Sequence, residues 1–168
     1  GEFAPVYVVT GDTDFAGDEA IVYYEDALDE VVKRAPEALR TMHINRGNRT
    51  IPAQYLGRLD FYMFQPGHNY EGQPEAWRLP QDFIANYPKK PMVNSEPCYE
   101  QMGASRNVYW RFTAQDCRAS VWSSILAGAS AGVTYGAHGV WNWQTSRSQG
   151  SVLGEGFDMP FRWQECLQ

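Results

Sequence analysis

Long apolar runs are missing from this 168-residue sequence. No stretch approaches the roughly 20 residues that cross a bilayer, and nothing reads as a signal peptide, so no membrane partner is expected. Gly1-Glu2-Phe3 reads as a cloning scar, which leaves localisation open. Positive charge is also sparse: 14 Lys and Arg stand against 20 Asp and Glu, a formal net charge of -6. Only Lys33-Arg34 and Lys89-Lys90 are adjacent, so there is no basic face and no nucleic-acid partner is expected. Cysteine is scarce. Cys98, Cys117 and Cys166 are odd in number and far apart, form no CxxC pattern and read as mostly free, buried thiols. There is no GxSxG elbow, no GxGxxG and no P-loop, which argues against a serine hydrolase or a nucleotide site. No clustered His, Asp and Glu suggests a catalytic metal, and no cofactor is expected.

What is present is an ordinary globular composition, 43% hydrophobic and 20% charged, long enough for one cored domain over residues 1–168. Aromatic content is high at 14%, with 6 Trp and 10 Tyr. Many of these rings stand beside Gly, Asn, Gln or His. A ring with a flat apolar face and a polar edge suits a sugar or peptide groove, and a Trp-rich core is the alternative.

Along the chain, buried strand, polar tip and helix recur, the rhythm of parallel βα units. Strands are expected over 5–10, 39–45, 59–64, the front of 90–100, and 132–141. Helices are expected over 19–34, around 81–87 after Pro80, and over 113–130, where Thr113 and Asp116 form an acidic variant of the capping box. Residues 47–57 and 144–156 read as loops, the first with one short helical turn. The five strands end in Asp12, Asn45-Arg46, Gln65/His68, Glu96 and His138/Trp141. In a parallel sheet those ends share one rim, where α/β folds keep their chemistry. Asp12 and Glu96 could divide acid/base and nucleophilic work in glycosidic cleavage. The bland alternatives are a turn aspartate and a strand-end glutamate paired with an arginine; Asp14 and Asp18 read as capping residues.

The segments Val9 to Asp12, Met42 to Gly47, Asp60 to His68, Asn94 to Glu100 and Gly132 to Trp141 resemble successive strand ends of the apiosidase-like glycoside hydrolases. Glu-Pro-Cys-Tyr-Glu and Thr-Tyr-Gly-Ala-His-Gly-Val-Trp are the most specific parts. The resemblance implies a partial TIM-type (β/α) barrel of about five parallel units, equivalent to the fourth to eighth strands of a (β/α)8 barrel. It implies Glu96 as nucleophile, Asp12 as acid/base, and retention of anomeric configuration in plant or bacterial polysaccharide, with the carboxyls roughly 5–5.5 Å apart. His43, Asn45, Gln65, His68, Tyr99, Tyr135, His138 and Trp141 would line the sugar pocket. Glu100 reads as a structural carboxylate. A secreted or periplasmic location would follow the family. A non-catalytic carbohydrate-binding half-barrel is the competing expectation. Strand edges rich in Val, Tyr and Trp, with no guarding Lys, point to a homo-oligomer, most simply a dimer.

Overall fold

Short strands of β-branched and aromatic residues alternate with helices, and each strand is too brief to bury its surface without a helix behind it. The computed structural model describes residues 5–9, 11–12, 15, 21–104, 110–138 and 140. Trp141 and Cys166, both singled out above, lie outside them. In chain order the elements are β1 (Val6–Val8), α1 (Ile21–Arg34), β2 (Leu39–Thr41), α2 (Ala53–Leu56), β3 (Tyr62–Phe64), α3 (Glu75–Asn86), β4 (Met92–Asn94), α4 (Ala114–Ala127) and β5 (Gly132–Val133). Every ladder is parallel: β1 pairs with β2, β3 with β4, and β4 with β5. The two-stranded and three-stranded pieces abut. The Asp60 N–H reaches the Arg40 carbonyl (2.8 Å) at one end, and the Gly47 N–H reaches the Gln65 carbonyl (3.0 Å) at the other. This is part of a (β/α) barrel, with all carboxyl ends on one rim.

The core lies between the strands and their outer helices. Leu28 of α1, Met42, Ile44, Tyr55, Tyr62, Phe64, Leu79, Phe83 and Met92 form one buried cluster. Tyr62, Phe64, Phe83 and Tyr87 meet edge-on or tilted, the geometry aromatic quadrupoles favour. A smaller cluster joins Cys98, Ala104, Phe112 and Cys117. Cys98 and Cys117 are both buried, with Sγ atoms 4.0 Å apart.

Three expectations about local structure need correction. Helix α3 begins at Glu75 and runs through Pro80, rather than starting after it. Proline lacks the N–H that would bond Ala76, but Ala76, Leu79, Pro80 and Phe83 are all buried, so packing carries the helix past the missing bond. The predicted strand over 132–141 keeps its ladder only at Gly132–Val133, and pairing resumes as a single parallel bridge between Glu100 and Ala137. On α1, the three- and four-residue spacing of Ile21, Tyr24, Leu28, Val31 and Val32 predicts one apolar stripe, yet Val32 is exposed while Leu28 is fully buried. The capping box on α4 is as expected. Asp116 N–H donates to Thr113 Oγ1 (3.2 Å), and Thr113 N–H donates to Asp116 Oδ2 (2.8 Å).

Strand β1 is the exception to burial. Val6 (52%), Tyr7 (43%) and Val8 (49%) are all exposed, and among the described residues β1 pairs on one side only.

Candidate functional site

Glu96 sits two residues past β4, the strand held on both sides by β3 and β5. Its position is set from below. The Glu96 N–H donates to Asn94 Oδ1 (3.2 Å), and Asn94 Nδ2 donates to Ser124 Oγ (2.9 Å), which in turn donates to the Ser120 carbonyl (2.9 Å). Asn94 and Ser124 are completely buried. A polar side chain stays in such a place only when hydrogen-bonded, so this chain ties the carboxylate's backbone to helix α4. Pro97 follows directly and keeps the segment from continuing as a strand.

Two histidines hold the carboxylate group. His68 Nε2 lies 2.7 Å from Glu96 Oε1, and His43 Nε2 lies 3.6 Å from Glu96 Oε2. His68 Nδ1 is buried with no hydrogen-bond partner among the described residues. The neutral ring therefore keeps its proton on Nε2 and donates it to Glu96. Oε1 is clamped and Oε2 faces His43.

Asp12 comes from the turn after β1, in the left-handed backbone region (φ 50°). Such a backbone is tolerated by aspartate better than by most side chains. Its Oδ1 accepts from Gln65 Nε2 (2.7 Å) and lies 3.1 Å from His43 Nδ1. Gln65 is itself fixed by a second bond to the Ile44 carbonyl (2.9 Å). His43 thus stands between the two carboxylates, and one ligand atom each of Asp12, His43 and Glu96 lies within 4.8 Å of the others. Those three side chains could also hold a divalent cation. The carboxylates differ in setting: the Asp12 side chain is 68% exposed and that of Glu96 is 22% exposed.

Tyr99 stacks on His68 at 4.2 Å between ring centroids, tilted by 53°. Burial pushes its phenol up to about 12, helped by the negative charges of Glu96 and Asp12. The phenol consequently stays a neutral hydrogen-bond donor at the rim. Opposite it, glycine at 136 is obligatory for space. A Cβ there would lie 2.2 Å from Tyr99 Cδ1 and 2.3 Å from Cε1. The raised phenol pKa has a consequence at alkaline pH. The unfolded chain releases the Tyr99 proton near pH 10, before the folded one does, so the stability tied to this group is complete below about pH 10. It is lost as pH rises toward 12. Urea unfolding should show a steeper alkaline loss for the parent chain than for Tyr99→Phe.

Of the residues expected at the sugar pocket, the rim gathers Asp12, His43, Gln65, His68, Glu96 and Tyr99. Three others make these hydrogen bonds. Asn45 is exposed and its Oδ1 accepts the Arg46 N–H (2.7 Å), which shapes the turn. Tyr135 donates its hydroxyl to Glu100 Oε2 (2.6 Å), and Glu100 is buried, in keeping with a structural carboxylate. His138 is fully buried, and its N–H bonds the Glu100 carbonyl (2.8 Å). Asn94, Ser124 and Gly136 were not singled out from the sequence. An asparagine inside an apolar strand was the one available hint.

The chain matches the family described as Apiosidase-like, catalytic domain, over residues 1–168. It is similar in fold to a glycoside hydrolase family 5 protein from Bacteroides vulgatus ATCC 8482 (TM-score 0.72, 24% identity, covering 89% of this chain and 36% of that one). A second solved structure, described as a glycoside hydrolase, aligns with TM-score 0.73 at 24% identity, covering 95% of this chain and 38% of that one. The chain therefore spans little more than a third of the length of these structures. No curated protein sequence matches it. With its parallel partial barrel, its rim of polar strand ends and the match along its whole length, the chain belongs to the apiosidase-like family of glycoside hydrolase-related catalytic domains.

Proposed function

We propose that the chain carries the catalytic pair of a retaining glycosidase, with Glu96 as nucleophile and Asp12 as acid/base. The observation that carries this reading is the approach of the two carboxylates, one oxygen of each within 4.8 Å, on one rim of parallel strands. Retaining enzymes set their carboxyls roughly 5–5.5 Å apart and inverting ones wider, to admit a water. Glu96 Oε2, opposite the oxygen clamped by His68, attacks the anomeric carbon as the bond to the leaving oxygen breaks. Asp12 Oδ2, left over when Gln65 and His43 take Oδ1, gives that oxygen its proton. Water then attacks the glycosyl ester, Asp12 takes the water's proton, and Glu96 departs as carboxylate. His68, His43 and the Tyr99 phenol hold charge and substrate hydroxyls. The test is proton NMR of the first product formed from an aryl glycoside or oligosaccharide. Retained configuration supports the assignment and inverted configuration overturns it. Carbohydrate bound without any cleavage would favour the binding half-barrel instead.

The exposed β1 strand supports a second part of the proposal, that copies of this chain associate. Val6, Tyr7 and Val8 offer an apolar strand with one edge unpaired among the described residues, and bare apolar surface contributes about 25 cal/mol per Å² once covered. A dimer is expected by light scattering at micromolar concentration, and a stable monomer there would refute it.

A further inference from the structure

We propose that a second cleft, walled by Tyr70 and Trp110, binds a neutral stretch of the glycan chain beyond the sugar being cleaved. The cleft has a volume of about 480 Å³, in the range of about 300–1,000 Å³ usual for small-ligand sites. Tyr70 and Trp110 stand 4.5 Å apart between centroids at 41°, and they are 53% and 50% exposed. Trp77, also half-exposed, lines the same cleft. Two large aromatic faces left open to water lose hydration cost when the apolar face of a pyranose covers them, and their edges keep polar groups within reach of hydroxyls.

A separate observation points to a ligand there. Ser120 lines the cleft and is 5% exposed, yet its Oγ has no hydrogen-bond partner among the described residues. An orphaned buried hydroxyl is costly, and a sugar hydroxyl or a water it displaces would satisfy it. The carboxylates of Glu71 and Asp116 also line the cleft, which disfavours uronic acids and leaves neutral sugars.

The cleft is built from the same loops as the carboxylate site. Tyr70 follows His68 by two residues. Gln73, another cleft residue, donates to the carbonyls of Gly67 (3.2 Å) and Asn69 (2.8 Å), bracing that loop. Trp110 lies on the segment whose backbone pairs with Ala104 and Met102, just past Tyr99 and Glu100. This inference rests on the glycosidase reading for its placement beyond a cleaved sugar, but its test does not require cleavage.

The test is affinity electrophoresis of the chain through gels containing xylan, galactomannan, mixed-linkage β-glucan or polygalacturonate. At least one neutral polymer is expected to retard the parent chain. Trp110→Ala and Tyr70→Ala should each weaken that retardation about tenfold, since stripping one stacked ring removes roughly that factor. Trp122→Ala, on the same helix as Ser120 but outside the cleft and 60% exposed, should leave it unchanged. Glu96→Gln should abolish hydrolysis and serves only to separate cleavage from retardation. Cleft-dependent retardation without hydrolysis upholds this inference and removes the glycosidase reading. Hydrolysis with no retardation, retardation indifferent to both ring deletions, or retardation by polygalacturonate alone overturns it.

Discussion

Glu96→Gln is expected to lower glycoside cleavage by a factor on the order of 10⁴–10⁶, as loss of a nucleophile does elsewhere. The amide has nearly the shape of the carboxylate. It can still meet His68 Nε2, now 2.7 Å from Glu96 Oε1, because the imidazole can present either a proton or a lone pair. The buried support from Asn94 and Ser124 reaches the backbone of residue 96 and not its side chain. Melting temperature should therefore change little while turnover collapses. Asp12→Asn should cost less, about 10²–10⁴, and the deficit should shrink on substrates whose leaving group needs no proton. Equal losses for both variants on every leaving group would argue against this division of roles. A folded Glu96→Gln variant that keeps full turnover would end the catalytic assignment.

Gly136→Ala should be the most disruptive single methyl in the site. The new Cβ would lie about 2.2 Å from Tyr99 Cδ1, far inside contact distance, so the ring or the backbone must move. The backbone has little freedom, because the Gly136 carbonyl accepts the Glu100 N–H (3.0 Å) in the bridge that joins the two loops. The Tyr99 ring is the part that yields, and it would leave its stack on His68. Overpacking of this kind costs about 1–3 kcal/mol. Thermal unfolding of Gly136→Ala should show that loss, and Tyr99→Ala in the same chain should recover much of it, since the clash partner is gone. Additive effects in that double-variant cycle would show that Tyr99 is not what meets the methyl. Turnover should fall as well, because His68 loses the ring that keeps it against Glu96.

The parallel rhythm could be seen in the sequence because each strand carries its own stop. Gly11-Asp12 ends β1, Pro66-Gly67 follows β3, and Pro97 follows β4. Those stops also picked out the rim residues, since a polar group directly after a buried strand can lie only at its carboxyl end. Pro80 misled for the same reason that prolines usually inform: its missing N–H is a local fact, whereas the burial of Leu79 and Phe83 that outweighs it is a tertiary one. The strand expected from Gly132 to Trp141 looked continuous. Its ladder stops at Val133, and Glu100 provides the next partner at Ala137. Tyr135 and His138 thereby both bond to Glu100, through the phenol and the backbone N–H, which no spacing rule discloses. The support of Glu96 by Asn94 and Ser124 joins residues 30 positions apart, and the Tyr70–Trp110 pair is 40 apart in number; neither leaves a periodic trace.

The exposure of β1 bears on Asp12, the proposed acid/base. Glu96 is mounted on a strand clamped by neighbours to left and right and keyed to a helix. Asp12 extends from a strand with one described neighbour, through a residue already in left-handed backbone. The two halves of the proposed pair thus stand on strands with different numbers of described neighbours. In the proposed assignment the nucleophile is held from below through Asn94, whereas the acid/base is held only through its Oδ1, by Gln65 and His43. A molecule that pairs with β1 would sit beside the strand that leads to Asp12, while Glu96 stands on a strand with both described edges already taken.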